Sequence, residues 1–184
     1  YPNGRTYAIA AGGQAPNTLV IFDVTNPTSP VYITKVALAG SYSIDVAIIA
    51  GSVYAFIGSS GSRNFYIYNI STPSAPVQVS VLVTTVTTSL YGTKYVNGYC
   101  YLATQNKGLL VIDVGGGAGG GTLAAPVVVF TEDPAGATRS FGVDASVIGG
   151  VTYVFTTQYQ TTAPYTIRQI KSWSIATPQT PVLL

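Results

Sequence analysis

Along the whole chain, short runs in which apolar and β-branched residues alternate with polar ones are bounded by Gly, Pro, Asn or Ser. Alternation with a period of two, punctuated by turn residues, predicts β-strands; a helix would need apolar positions recurring about every 3.6 residues. No stretch joins a helix start signal to such a helical period, so the chain is expected to be all-β. One stretch organises the rest. Leu19–Val31, LVIFDVTNPTSPV, is an apolar run, an acid, a turn punctuated by Pro27 and Pro30, and the start of a second apolar run. The pattern returns at Tyr66–Val77 (YIYNISTPSAPV), Leu109–Val127 (LLVIDVGGGAGGGTLAAPV) and Ile170–Val182 (IKSWSIATPQTPV). Repetition at this period marks units that bury their faces only against their neighbours.

A second repeated feature sets the register. Gly4, Gly51, Gly98 and Gly150 each begin a G-x-x-Y step, at spacings of 47, 47 and 52 residues. Each glycine is expected in a tight turn at positive φ, with a strand following. The second unit shows the layout best, with strands expected at Ser43–Ile49, Val53–Ile57, Phe65–Ile70 and Val77–Val83. The third unit carries a flexible GGGAGGG insertion, Gly115–Gly121, in place of the short proline turn. The fourth is expected to run from about Phe141, with an extended loop over Gln158–Tyr165. Four antiparallel strands in roughly 45 residues make the blade of a β-propeller. The blades are expected at about 1–40, 41–88, 89–138 and 139–184, in a single domain.

The runs LVIFDVTNPTSPV and YIYNISTPSAPV resemble the LVIVD-repeat family of β-propellers, whose blades combine a G-x-x-Y-type strand with an LxVIDVSxPxxPV strand and turn. The resemblance extends over essentially the whole chain. The third unit loses the first proline to glycines, and the fourth has Ser174 in place of the acid. The family implies a secreted or cell-surface binding or scaffold domain, and no particular activity.

Both ends of the pattern fall inside a blade. Tyr1-Pro-Asn-Gly4 aligns with Tyr95-Val-Asn-Gly98, so the first unit is expected to lack its inner strand; the last stops within its fourth strand, at Pro181–Leu184. No initiator Met is present, and a missing genetic start is the expectation. The first strand of unit one would then expose unpaired N–H and C=O groups between apolar side chains. Further blades, a strand from another copy, or a tolerated gap would each resolve that. Arg5, Tyr7, Ile9, Val182 and Leu184 are the candidate assembly edge.

Composition narrows the partners. Among 184 residues 47% are hydrophobic and 8% charged, with a formal net charge of +2 and no basic run. A typical soluble domain has roughly 25% charged residues. Disorder and a nucleic-acid footprint are both excluded by this pattern. No apolar stretch is long enough to span a membrane as a helix. Cys100, the one cysteine, has no internal disulfide partner, and lies in an apolar strand, where a buried thiol is expected.

Candidate chemistry is sparse. Asp23, Asn69, Asp113 and Ser174 share one repeat position at the end of the third strand, and interchange among Asp, Asn and Ser fits turn capping better than metal ligation. Asp45 and Asp144 each stand six residues before a repeat glycine. In a four-bladed ring they would face each other across the channel, as paired carboxylates or a cation site, or else make polar contacts between blades. Glu132-Asp133-Pro134 reads as a solvated loop. The absence of histidine excludes Ser-His-Asp and Cys-His catalysis. GGGAGGG lacks the Lys-Ser/Thr of a phosphate loop. The fourteen tyrosines are expected mainly in packing, with Thr156–Thr162 as an alternative contact surface for glycan or protein. Asn69-Ile70-Ser71 is an N-glycosylation triplet at a capping position, and the TNPTSP, TPSAP and TPQTP turns offer O-linked sites.

No cofactor and no enzymatic activity are expected. The primary expectation is an extracellular or cell-surface structural protein whose propeller subunits associate through open blade edges into a homo-oligomer or filament. The alternative is a protein- or glycan-binding module within a larger secreted propeller. A glycan-acting enzyme using Asp45 and Asp144 ranks last.

Overall fold

A computed structural model describes residues 4–12, 18–84, 86, 89–117, 119–133, 138–160 and 168–184. These fold into four antiparallel sheets in chain order. The first has three strands, β1 (Tyr7–Gly12), β2 (Thr18–Asp23) and β3 (Val31–Ala37). The second has β4 (Ser43–Ile49), β5 (Ser52–Gly58), β6 (Asn64–Asn69) and β7 (Val77–Val83). The third has β8 (Leu90–Val96), β9 (Tyr99–Thr104), β10 (Gly108–Asp113) and β11 (Val127–Thr131). The fourth has β12 (Thr138–Ile148), β13 (Val151–Gln160), β14 (Arg168–Ile175) and the two-residue β15 (Val182–Leu183). Every sheet is a simple meander, and among the described residues no strand pairs with the inner side of β1. No helix is present among the described residues.

Turn chemistry explains why the strands pair where they do. Ala50-Gly51, Asn97-Gly98 and Gly149-Gly150 have positive φ at both residues, from 49° to 84°. That is the two-residue turn whose twist matches an antiparallel hairpin, and it joins the first two strands of blades 2, 3 and 4. A bulge recurs as well. Between the third and fourth strands of the first three blades the register skips one residue: Ile33, Val79 and Val129. Each skipped residue turns its apolar side chain onto a core. The bulge thus adds a core contact rather than a defect.

The cores lie between blades. Leu19 and Ile21 of blade 1 meet Val53, Ala55, Ile57, Tyr66 and Tyr68 of blade 2. Phe56, Phe65 and Ile67 of blade 2 meet Cys100, Leu102, Leu110 and Ile112 of blade 3. Leu109 and Val111 of blade 3 meet Val154, Trp173 and Ile175 of blade 4. Alternate residues of one strand therefore face opposite neighbours, as a two-residue period requires. Blades 2 and 3 are covered on both faces, whereas blades 1 and 4 have one covered face each.

Two sequence expectations about blade 4 are corrected. Its inner strand begins at Thr138, and β13 extends to Gln160, so residues 158–160 are strand rather than loop. The remainder of the expected loop, 161–165, lies outside the described residues, as do Tyr1–Asn3 of the N-terminal alignment.

Candidate functional site

The repeat acid is a turn cap in three blades. Asp23 Oδ1 accepts from the Thr25 amide at 2.9 Å, and Asn69 Oδ1 from the Ser71 amide at 2.9 Å. Asp113 goes further. It is fully buried, its Oδ1 accepting from the amides of Gly115, Gly116 and Gly117 at 2.8–3.3 Å and its Oδ2 from Gly119 at 2.8 Å and Gly121 at 3.2 Å. The glycine insertion is therefore an ordered nest around a carboxylate, not a flexible spacer; Ala118 lies outside the described residues. Burial pushes the Asp113 carboxyl upward, but the amides of Gly115, Gly119, Gly116 and Gly121 outweigh it and hold it below its ordinary range. Asp23 is also lowered, chiefly by the Thr25 hydroxyl and amide and further by Arg5. Ser174 occupies the same register, opposite Tyr153 and Val182.

Blade 3 reaches its nest by a shift. Asp23, Asn69 and Ser174 sit opposite Tyr7, Tyr54 and Tyr153, the tyrosines of the G-x-x-Y step. Asp113 sits opposite Tyr99, two residues earlier in that step. The shift brings the glycine segment over Tyr99 and Gly98. A Cβ at Gly116 would lie 2.0 Å from the Tyr99 ring, and one at Gly98, where φ is +84°, 2.4 Å from the Gly116 amide nitrogen.

Asp45 and Asp144 do not form an open pair. Lys94 of β8 stands between them, its Nζ 3.8 Å from a carboxylate oxygen of each. Asp45 also accepts from the Tyr95 amide at 2.8 Å, joining blades 2 and 3. Gly92, in the same repeat position of blade 3, admits the β12 backbone: a Cβ there would lie 3.0 Å from the Val143 nitrogen. The position serves contact between blades. Among the described residues no cluster of three or more His, Cys, Asp or Glu is arranged to hold a metal.

Sequence reasoning missed Glu132. Instead of lying in a solvated loop, it is buried between blades 3 and 4, and ion-pairs with Lys171. Its Oε2 accepts from the Leu109 amide at 2.9 Å and from Gln158 Nε2 at 3.0 Å. Asp133 is the solvated member, paired with Lys107 at 2.6 Å; Pro134 lies outside the described residues. Cys100 is fully buried in the core between blades 2 and 3, and burial pushes its thiol well up. Tyr42, Tyr91 and Tyr159 form a column with Phe141, with adjacent ring centroids 4.6–5.5 Å apart. The rings stack across three blades, with Tyr42 and Phe141 still exposed; Thr161 and Thr162 of the alternative contact surface lie outside the described residues.

The first blade departs from the repeat: among the described residues it has three strands where the others have four. β1 carries Tyr7 and Ile9, half-buried against the blade 1–2 core. Beside them, where β4, β8 and β12 stand in the other blades, is a cleft of about 360 Å³ lined by Thr6, Tyr7, Ile9, Val46, Ala47, Ile48 and Val53. Ile48 on its far wall is 63% exposed. Arg5 precedes β1, and its guanidinium pairs with the Asp23 carboxylate. Val182 and Leu184, at the other end, are exposed; the Leu184 amide donates to the Ser172 carbonyl at 2.9 Å.

Comparison with known proteins agrees with this architecture. The LVIVD repeat family matches residues 13–42 and 95–121. This chain carries LVIVD repeats and folds as a β-propeller. It superposes on the crystal structure of the Pseudomonas aeruginosa PilY1 C-terminal domain with a TM-score of 0.59 and 16% identity. That match covers 96% of this chain and 46% of the PilY1 domain, so the chain spans about half its length. No curated protein sequence matches.

Proposed function

We propose that this chain is a non-catalytic structural module of the cell exterior whose propeller subunits associate through their open blade ends. The observation that carries the reading is the apolar cleft beside the inner edge of β1, where no further strand pairs among the described residues. Exposed strand edges of this kind are normally shortened, charged or covered, and strand addition from another chain is a common way to cover one. Low charge and a Thr-, Tyr- and Gly-rich composition, together with the secreted or surface character implied by the repeat family, favour a location outside the cell. Capping, inter-blade bonding and packing account for the acids at the sites described, which favours a scaffold over an enzyme.

The test is the association state of the 184-residue chain by native mass spectrometry and negative-stain microscopy. Regular assemblies are expected, and Ile48→Asp, a change at an exposed position in the cleft, is expected to weaken them. A chain that stays monomeric at high concentration refutes the reading. One observation favours a second reading, a binding module within a larger propeller: the chain spans only 46% of the PilY1 domain it resembles.

A further inference from the structure

The seam between blades 3 and 4 gathers an amine and a carboxamide on one carboxylate. Glu132 and Gln158 are buried there, and the Lys171 side chain is only 16% exposed. Lys171 of β14 stands opposite Thr156 of β13, and Gln158, two residues further along β13, shares the face of Thr156. Both side chains therefore enter the seam from one face of blade 4, and they meet at Glu132. Lys171 Nζ pairs with Glu132 Oε1, while Gln158 Nε2 donates to Oε1 at 3.2 Å and to Oε2 at 3.0 Å. The Leu109 amide, 2.9 Å from Oε2, fixes the carboxylate from the side of blade 3.

Two further donors belong to the same cross-strand row. Gln169 lies opposite Gln158 on β14, its Nε2 3.5 Å from Gln158 Oε1. Ser140 lies opposite Gln158 on β12, and opposed residues of an antiparallel pair point to the same face. Its hydroxyl is fully buried and is the one buried side-chain polar atom among the described residues without a hydrogen-bond partner. A buried hydroxyl left unpaired is costly, so a hydroxyl on the strand beside Gln158 is a donor held in reserve.

We infer that Lys171 and Gln158 become joined by an isopeptide bond, with Glu132 carrying the protons. Burying an ammonium with a carboxylate is costly, and passing one proton from Nζ to Glu132 removes both charges. The free amine attacks Gln158 Cδ, forming the Nζ–Cδ bond and placing negative charge on Oε1, where Gln169 and Ser140 supply donors. Glu132 gives its proton to Nε2, to which it is already bonded, and takes the second proton that Nζ loses as the new amide forms. The Cδ–Nε2 bond breaks, and the nitrogen departs with that last proton as ammonium. No oxidant or reductant enters, since one carboxamide is exchanged for another. The product staples β13 to β14 in a chain whose one cysteine allows no internal disulfide. It is independent of how copies associate.

The test is intact-mass spectrometry of the folded chain, followed by tryptic mapping. The chain is expected to be lighter than its sequence by one ammonia, about 17 Da. Trypsin, cutting after Arg139 and Arg168, should release residues 140–168 and 169–184 as one linked species, uncut at Lys171. Lys171→Arg keeps a positive charge beside Glu132 without the reactive amine, and Glu132→Gln removes the proton carrier; both are expected at full sequence mass. Slow exchange of β9 and β10 amides reports that each protein is folded. A folded, unaltered chain at full sequence mass overturns the inference. A loss of ammonia that persists in Lys171→Arg also overturns it, because the bond then lies elsewhere. A link that persists in Glu132→Gln overturns the role of Glu132. Where a variant does not fold, the presence or absence of the linked peptides in the unaltered chain decides.

Discussion

At Asp113 a single carboxylate organises a loop that would otherwise have little to hold it. Glycine loses more conformational freedom on folding than any other residue, and the segment after Asp113 is rich in it. Five amide donors converging on one buried acceptor offset that cost. Asp113→Ala would leave them without it, and a loss of about 2–3 kcal/mol is expected in urea unfolding. The pH dependence has a definite sign. The Asp113 and Asp23 carboxyls lie below their ordinary value of 3.8 in the folded chain. Their contribution is therefore complete above about pH 4 and is lost as pH falls through the folded value. In Asp113→Asn, stability at neutral pH should drop, and the decline between about pH 4 and pH 2 should be shallower than in the unaltered chain. An equally steep decline would mean that Asp113 is not a significant source of the acid sensitivity.

Among the elements, the strands were legible and the seams between them were not. The proline turns and G-x-x-Y steps locate β4 and β7 to the residue, because turn chemistry and two-residue alternation are local properties. The role of Asp23, Asn69 and Asp113 as caps is local too. Glu132 could not be found this way: its partners Lys171 and Gln158 are distant in sequence, and a Glu-Asp-Pro triplet has the composition of any surface turn. Lys94 was invisible for the same reason, since only the packing of blade 3 puts it between Asp45 and Asp144. The two-residue shift of Asp113 is set by the close approach of Gly116 to Tyr99, which no periodicity encodes. The Glu132–Lys171 pair gives a prediction at this scale. Glu132→Gln leaves the Lys171 ammonium with little exposure and no counter-charge, and should cost about 3 kcal/mol. Glu132→Gln combined with Lys171→Met should recover part of that loss in the same urea titration. A double variant no better than the single one would show that the Leu109 and Gln158 bonds, rather than the ion pair, hold the seam.

Across the whole molecule, burial is graded from the middle of the chain to its ends, and stability should be graded likewise. In a repeat architecture, units interact mainly with their neighbours, so a blade with two covered faces is held by two interfaces and an end blade by one. β9 and β10 are buried throughout, while β3 and β15 are largely exposed and β1 pairs with a strand on one side only among the described residues. Native-state hydrogen exchange reads this gradient directly, because local opening exposes the least-buried units first. Amides of β5, β6, β9 and β10 are expected to exchange slowest, those of β1, β3 and β15 fastest. The same experiment connects the fold to its proposed use. If copies associate through their open blade ends, raising the concentration should slow exchange in the end blades, with blade 3 core strands β9 and β10 unchanged. Protection gained at neither end would sink the association, and protection gained at one end alone would point to a symmetric contact, because a face that pairs with itself covers only one end of each copy.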